Sequence, residues 1–176
     1  MQSSLSKLLV REHGIILEAS EVIVALNRSW ADDPVAYEKI ILQLLDFFST
    51  YADGYHHRKE EDILFPVISK KNEMAGDAIV RELLDHHDDF RSRLQQIRSA
   101  LGMRDYATVQ AHFFSYINAL QDHIAVENDE LFPMADTLLS SDELELQFHR
   151  CHDLDSELGE ERKQHLEMLI EKRKIL

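Results

Sequence analysis

Two stretches of this 176-residue chain repeat each other at long range. His56-His57-Arg58-Lys59-Glu60 runs on to Leu64-Phe65-Pro66, and His123-Ile124-Ala125-Val126-Glu127 runs on to Leu131-Phe132-Pro133. In both, a glutamate follows a histidine by four residues and a proline follows it by ten. The preceding segments match as well. His13 lies four after Leu9 and three before Ile16, and His87 lies four after Leu83 and three before Phe90. Apolar residues recur at helical spacing around all of these positions. The repeat therefore predicts two helical hairpins, each contributing one histidine and then a His-x-x-x-Glu.

The breaks between helices are equally legible. They fall at 29–34, 72–76, 102–105 and 140–141, where Gly, Pro, Ser, Asn and Asp collect. Pro34 after Asp32 and Asp33 reads as a first-turn proline behind a cap, and Ser140 with Glu143 reads as a capping box. These signals predict four core helices over roughly 3–28, 35–70, 77–101 and 105–138, and a fifth from about 141 to 174. With 5 Gly and 3 Pro in the chain, a turn-rich β fold is excluded. Short connections favour antiparallel neighbours, so the expected fold is all-α: an up-down-up-down four-helix bundle over 1–138 and a C-terminal helical extension over 139–176. Gly54 or Pro66 is expected to bend the long second helix.

Phase decides which way the polar residues point. At about 100° per residue, His123 and Glu127 share a face with Tyr116 and Ala119. His56 and Glu60 share one with Leu42, Leu45, Ala52, Ile63 and Val67. The neighbouring pair His57 and Glu61 falls with Asp46, Thr50 and Asp53, so phase favours His56 and Glu60. His13 and His87 lie near the centres of their apolar stripes, with His86 further off. Six polar groups, His13, His56, Glu60, His87, His123 and Glu127, are thus aimed at one interior. A buried carboxylate without a partner costs several kcal/mol, and the phase places no Lys or Arg on those faces at the same level. Cations resolve the conflict by pairing with carboxylates and accepting imidazole lone pairs. Four histidines and two carboxylates exceed the four ligands of a structural zinc and suit two transition-metal ions, iron first, then manganese or zinc. Glu130, one turn from Glu127, is an outside candidate. Gly14, directly after His13, suggests a close approach by another group.

Composition narrows the partners. Nineteen basic against 33 acidic residues give a net charge of −14, which repels phosphate backbones and argues against nucleic-acid binding. No apolar run nears a membrane span and no signal peptide is visible at the N-terminus, so no membrane association and a cytoplasmic location are expected. The single cysteine, Cys151, rules out an internal disulfide.

The motifs resemble those of the hemerythrin-like (HHE) cation-binding domains. The resemblance rests on Glu12-His13, on His56 to Glu61 with Leu64-Phe65-Pro66, on Asp85-His86-His87, and on His123 to Glu127 with Leu131-Phe132-Pro133. It implies a four-helix bundle holding a non-haem, usually oxo- or hydroxo-bridged, di-iron centre that binds or responds to O2 or nitric oxide, or that serves iron handling and repair of metal clusters. The oxygen-carrying members place two histidines four apart on the third helix, and their last carboxylate follows its histidine by five. Here the positions four from His87 are Leu83 and Arg91, and Glu127 follows His123 by four. The expectation is a site one ligand short of the carriers, favouring sensing or reactive chemistry over storage. Alternatives are iron handling or cluster repair, and a metal-stabilised helical interaction module, with a homo-oligomer through the C-terminal helix as a further expectation.

Overall fold

A computed structural model describes residues 2–173, with side chains to Glu171. It is all-α, with no strand among the described residues. Helix α1 spans Ser4–Ala25, capped by the Ser3 hydroxyl, which accepts from the Ser6 amide. Helix α2, Pro34–Phe47, opens with Pro34 behind Asp33, whose carboxylate accepts from the Ala36 amide, as the sequence implied. The helical path continues as a π segment, π1, over Phe48–His57, a second, π2, over Glu60–Leu64, and helix α3 over Phe65–Lys71. Helix α4 covers Ala75–Gly102; its start packs so tightly that a Cβ on Gly76 would lie 2.8 Å from the Ile68 carbonyl oxygen. Then come α5, Tyr106–Val126, π3, Glu127–Leu131, and α6, Phe132–Leu138. The capping box at Ser140 and Glu143 is present and opens α7, Ser141–Leu158.

The expected fifth helix is two helices. Gly159, with φ of +83°, ends α7 and α8 begins at Glu160; the left-handed region that glycine enters freely turns the chain there. The expected end at 174 lies outside the described residues. Where the second helix was expected to bend, its hydrogen bonding changes register. The amide of Phe65 reaches back five residues to the Glu60 carbonyl, and that of Phe132 to the Glu127 carbonyl. Pro66 and Pro133 follow at once. Proline lacks an N–H and its ring presses on the carbonyl four residues back; a π turn widens the helix just where the ring must fit. Gly14, by contrast, is exposed and its Cβ direction is open, so the expected close approach is not there.

Two apolar clusters fill the interior. One holds Ile16, Ile23, Ile41, Phe48, Tyr55, Phe90, Leu94, Phe113, Tyr116 and Leu120 among others, the second Leu5, Leu9, Ile63, Leu64, Phe65, Leu83, Leu131 and Phe132. Helices α1 and α4 start in the second cluster and run into the first, whereas α2–α3 and α5–α6 run from the first into the second. Each crosses between clusters at a repeat residue: His13 between Leu9 and Ile16, His56 and Glu60 between Tyr55 and Ile63, His87 between Leu83 and Phe90, and Glu127 between Ile124 and Leu131. A polar layer therefore separates two apolar ones. Helices α7 and α8 lie against α1, Cys151 and Leu154 joining the second cluster, Leu166 and Ile170 the first. Leu42, placed by phase on the inward face, is 55% exposed.

Candidate metal centre

All six side chains singled out in the sequence are buried in the polar layer, and the structure brings them together. Their donor atoms form two groups within 4.8 Å: His13, His56, Glu60 and Glu127, and His57, Glu60, His87 and His123. Glu60 belongs to both. Glu127 also reaches across, with Oε2 at 3.2 Å from Nε2 of His13 and 3.2 Å from Nε2 of His123.

His57 is the residue the sequence reading passed over. A uniform helical phase set it toward solvent; it is 1% exposed and lies parallel to the His87 ring, centroids 3.9 Å apart. The cause is π1. Ten residues of wider turn end at His57, so the phase carried from Leu42 and Leu45 no longer applies. The inward face of π1 is Phe48, Tyr51, Ala52 and Tyr55, followed by both histidines. The only signals available were the His-His doublet and Gly54. The two groups together therefore comprise seven candidate side chains. Among the remaining candidates, Glu130 is exposed and in neither group. His149, His152 and His165 are exposed on α7 and α8.

Outer hydrogen bonds orient the rings, and they follow the repeat. Glu12 Oε2 accepts from Nδ1 of His56 at 2.9 Å, while His86, the repeat equivalent of Glu12, lies with Nδ1 3.4 Å from Nδ1 of His123, the equivalent of His56. Asn128 Oδ1 meets Nδ1 of His13 at 2.9 Å, and its equivalent Glu61 meets Nδ1 of His87 at 2.8 Å, Arg91 in turn bonding Glu61 at 2.5 Å. An acceptor on Nδ1 fixes the proton there and leaves a lone pair on Nε2. His87 is a member of a donor group, and His86 is in neither.

The inward-facing atoms are unsatisfied. Nε2 of His13, Nε2 of His56, both oxygens of Glu60 and both of Glu127 are buried without a hydrogen-bond partner. Nε2 of His87 sits 3.1 Å from Nε2 of His123, although Glu61 assigns the proton of His87 to Nδ1. Native interiors leave few buried polar atoms unpaired, so six in one layer ask for an occupant that accepts lone pairs. Charge effects agree. Burial, and then the neighbouring Glu127 carboxylate, push Glu60 well above the carboxylate range. Burial drives His56 and His57 well down and His123 to about 2, so these imidazoles stay neutral and keep the lone pairs that a cation takes.

No helix among the described residues is long and apolar enough to cross a membrane. No curated protein and no solved structure matches the chain at a significant level. A family model does, the hemerythrin HHE cation-binding domain, over residues 4–135. That span contains every residue of both donor groups and stops short of α7. With three quarters of its length covered and the cluster inside that length, the chain belongs to the hemerythrin HHE cation-binding domain family.

Proposed function

We propose that this protein holds two iron ions in the polar layer and binds or responds to a small diatomic molecule, O2 or nitric oxide, there. The supporting observation is the pair of donor groups sharing Glu60, with inward lone pairs unpaired. His13 and His56 would hold one ion and His57, His87 and His123 the other, with Glu60 and Glu127 reaching both. Bound iron would supply reversible one-electron chemistry and affinity for diatomic ligands. Imidazole and carboxylate donors suit iron, manganese and zinc; thiolate is missing, Cys151 being buried away from both groups in the second apolar cluster. The His13–His56 group has one imidazole fewer, so an ion held there would keep room for a small ligand. Asn128 and Phe132, which touch His13, also line a surface cavity of about 380 Å3. The alternating passage of the four segments between the clusters supports an up-down-up-down bundle over 1–138, and the end of the family match at residue 135 supports treating 139–176 as an extension.

Metal analysis with gas-dependent spectra tests the reading. Protein produced with ample iron should carry close to two irons per chain and absorb in the near ultraviolet through ligand-to-iron charge transfer. After reduction, its spectrum should change on adding O2 or nitric oxide. Iron that a weak chelator strips at once would favour iron handling. A metal-dependent melting temperature with spectra indifferent to both gases would favour a structural role, and an iron content near zero would remove the proposal.

A further inference from the structure

The extension reaches the centre through a buried charged chain. Glu12 and Lys59 are 1% and 0% exposed, which is rare for either residue without close partners. Glu12 Oε2 takes Nδ1 of His56, and Glu12 Oε1 accepts from the Lys59 ammonium at 2.5 Å. On its other side Lys59 Nζ meets Asp155 Oδ1 at 2.9 Å and lies 3.7 Å above the Tyr55 ring. Asp155 stands on α7 and also accepts from the Tyr55 hydroxyl at 2.5 Å, with Lys163 of α8 at 3.5 Å from its other oxygen. The repeat offers no counterpart: His86 takes the place of Glu12, Val126 that of Lys59, and no residue of α7 or α8 forms a hydrogen bond or ion pair with His123 among the described residues. Among the described residues, only the His56 half is wired to the extension.

We propose that Asp155 is a positioning residue for the metal centre, acting through Lys59 and Glu12 to hold the His56 ring with Nε2 facing inward. This rests on the metal reading above. Asp155 fixes where the Lys59 ammonium sits, Lys59 fixes the Glu12 carboxylate, and that carboxylate fixes the tautomer and tilt of His56. Without Asp155, Lys59 has only Glu12 and the Tyr55 face for its three donors, and the ammonium is free to draw Glu12 off His56.

Full-length protein stripped of metal and titrated with Co2+, whose visible bands report imidazole geometry, tests this against a purely structural role. Asp155→Ala should weaken one of two binding steps by about tenfold, the lower end for outer hydrogen-bond partners of metal ligands, and should shift the cobalt bands. Asp155→Glu should restore part of both. Leu154→Ala is the control: it loosens the same helix through its apolar face and should lower the melting temperature while leaving affinity and bands unchanged. If Asp155→Ala lowers only the melting temperature, or if Leu154→Ala alters affinity equally, the assignment is overturned. A wild-type chain that binds no Co2+ overturns the metal reading and this inference with it.

Discussion

Replacing Glu60 by glutamine should reverse sign between metal-free and metal-loaded protein. Glu60 is fully buried, its oxygens lack partners, and Glu127 stands beside it. In the metal-free state glutamine keeps the shape and removes a group that resists ionising there, so the melting temperature should stay level or rise by a few degrees. With metal the reverse holds. An ion at about 100 times its dissociation constant stabilises the native chain by about 2.7 kcal/mol, or roughly 5–11 °C at 2–4 °C per kcal/mol for a domain of this size. Glu60 serves both donor groups, so its loss weakens binding at both. A weakening of about 100-fold brings the same metal concentration down to the dissociation constant and leaves about 0.4 kcal/mol, or 1–2 °C. Differential scanning calorimetry on chelator-treated protein, with and without Fe2+ under anaerobic conditions, gives all four values. Equal metal-induced gains in wild type and Glu60→Gln would refute the reasoning. So would a metal-free variant that melts far below wild type, because Glu60 would then be making a native contact that the structure does not contain.

Two further outcomes follow. His57→Ala and His56→Ala should each cut the metal retained through a desalting column, by comparable amounts, whereas His149→Ala, at an exposed position, should retain all of it. Glu143 accepts from Lys71 and from the Ser140 amide, and these hold it down at about 2. A depressed carboxylate contributes stability above its unfolded value, near 4.5, and loses it as pH falls toward 2. The melting temperatures of wild type and Glu143→Gln should therefore differ at pH 6 and converge near pH 2; a gap that persists at low pH would mean that the carboxylate charge is not the cause.

The sequence carried the helical fold because caps and breaks are local: Asp33 with Pro34, Ser140 with Glu143, and the link at 102–105 all appear where their side chains demand. Six residues of the candidate site were legible because the repeat supplied each position twice. His57 was not, because phase counted at a fixed angle fails once the turn widens, and nothing in Phe48–His57 apart from Gly54 marks a π segment. Gly159 was missed for a related reason. A glycine in a polar, charged stretch reads as a tolerated helix residue, and only its positive φ shows the chain turning. The chain from His56 to Asp155 spans 99 residues of sequence between its ends and joins three helical segments, a relation no periodicity encodes.

The slab of imidazoles and carboxylates between the two greasy ends has a bearing on how the molecule comes apart. Hydrocarbon contacts propagate order only where they touch, and here they are interrupted midway along α1, α2–α3, α4 and α5–α6. Filled with cations, the interruption acts as a rivet, and both ends should melt in one step. Emptied, it is a seam of mutually repelling groups, and amide exchange should show the Leu5–Leu83–Phe132 end and the Ile23–Phe48–Phe113 end opening on separate clocks.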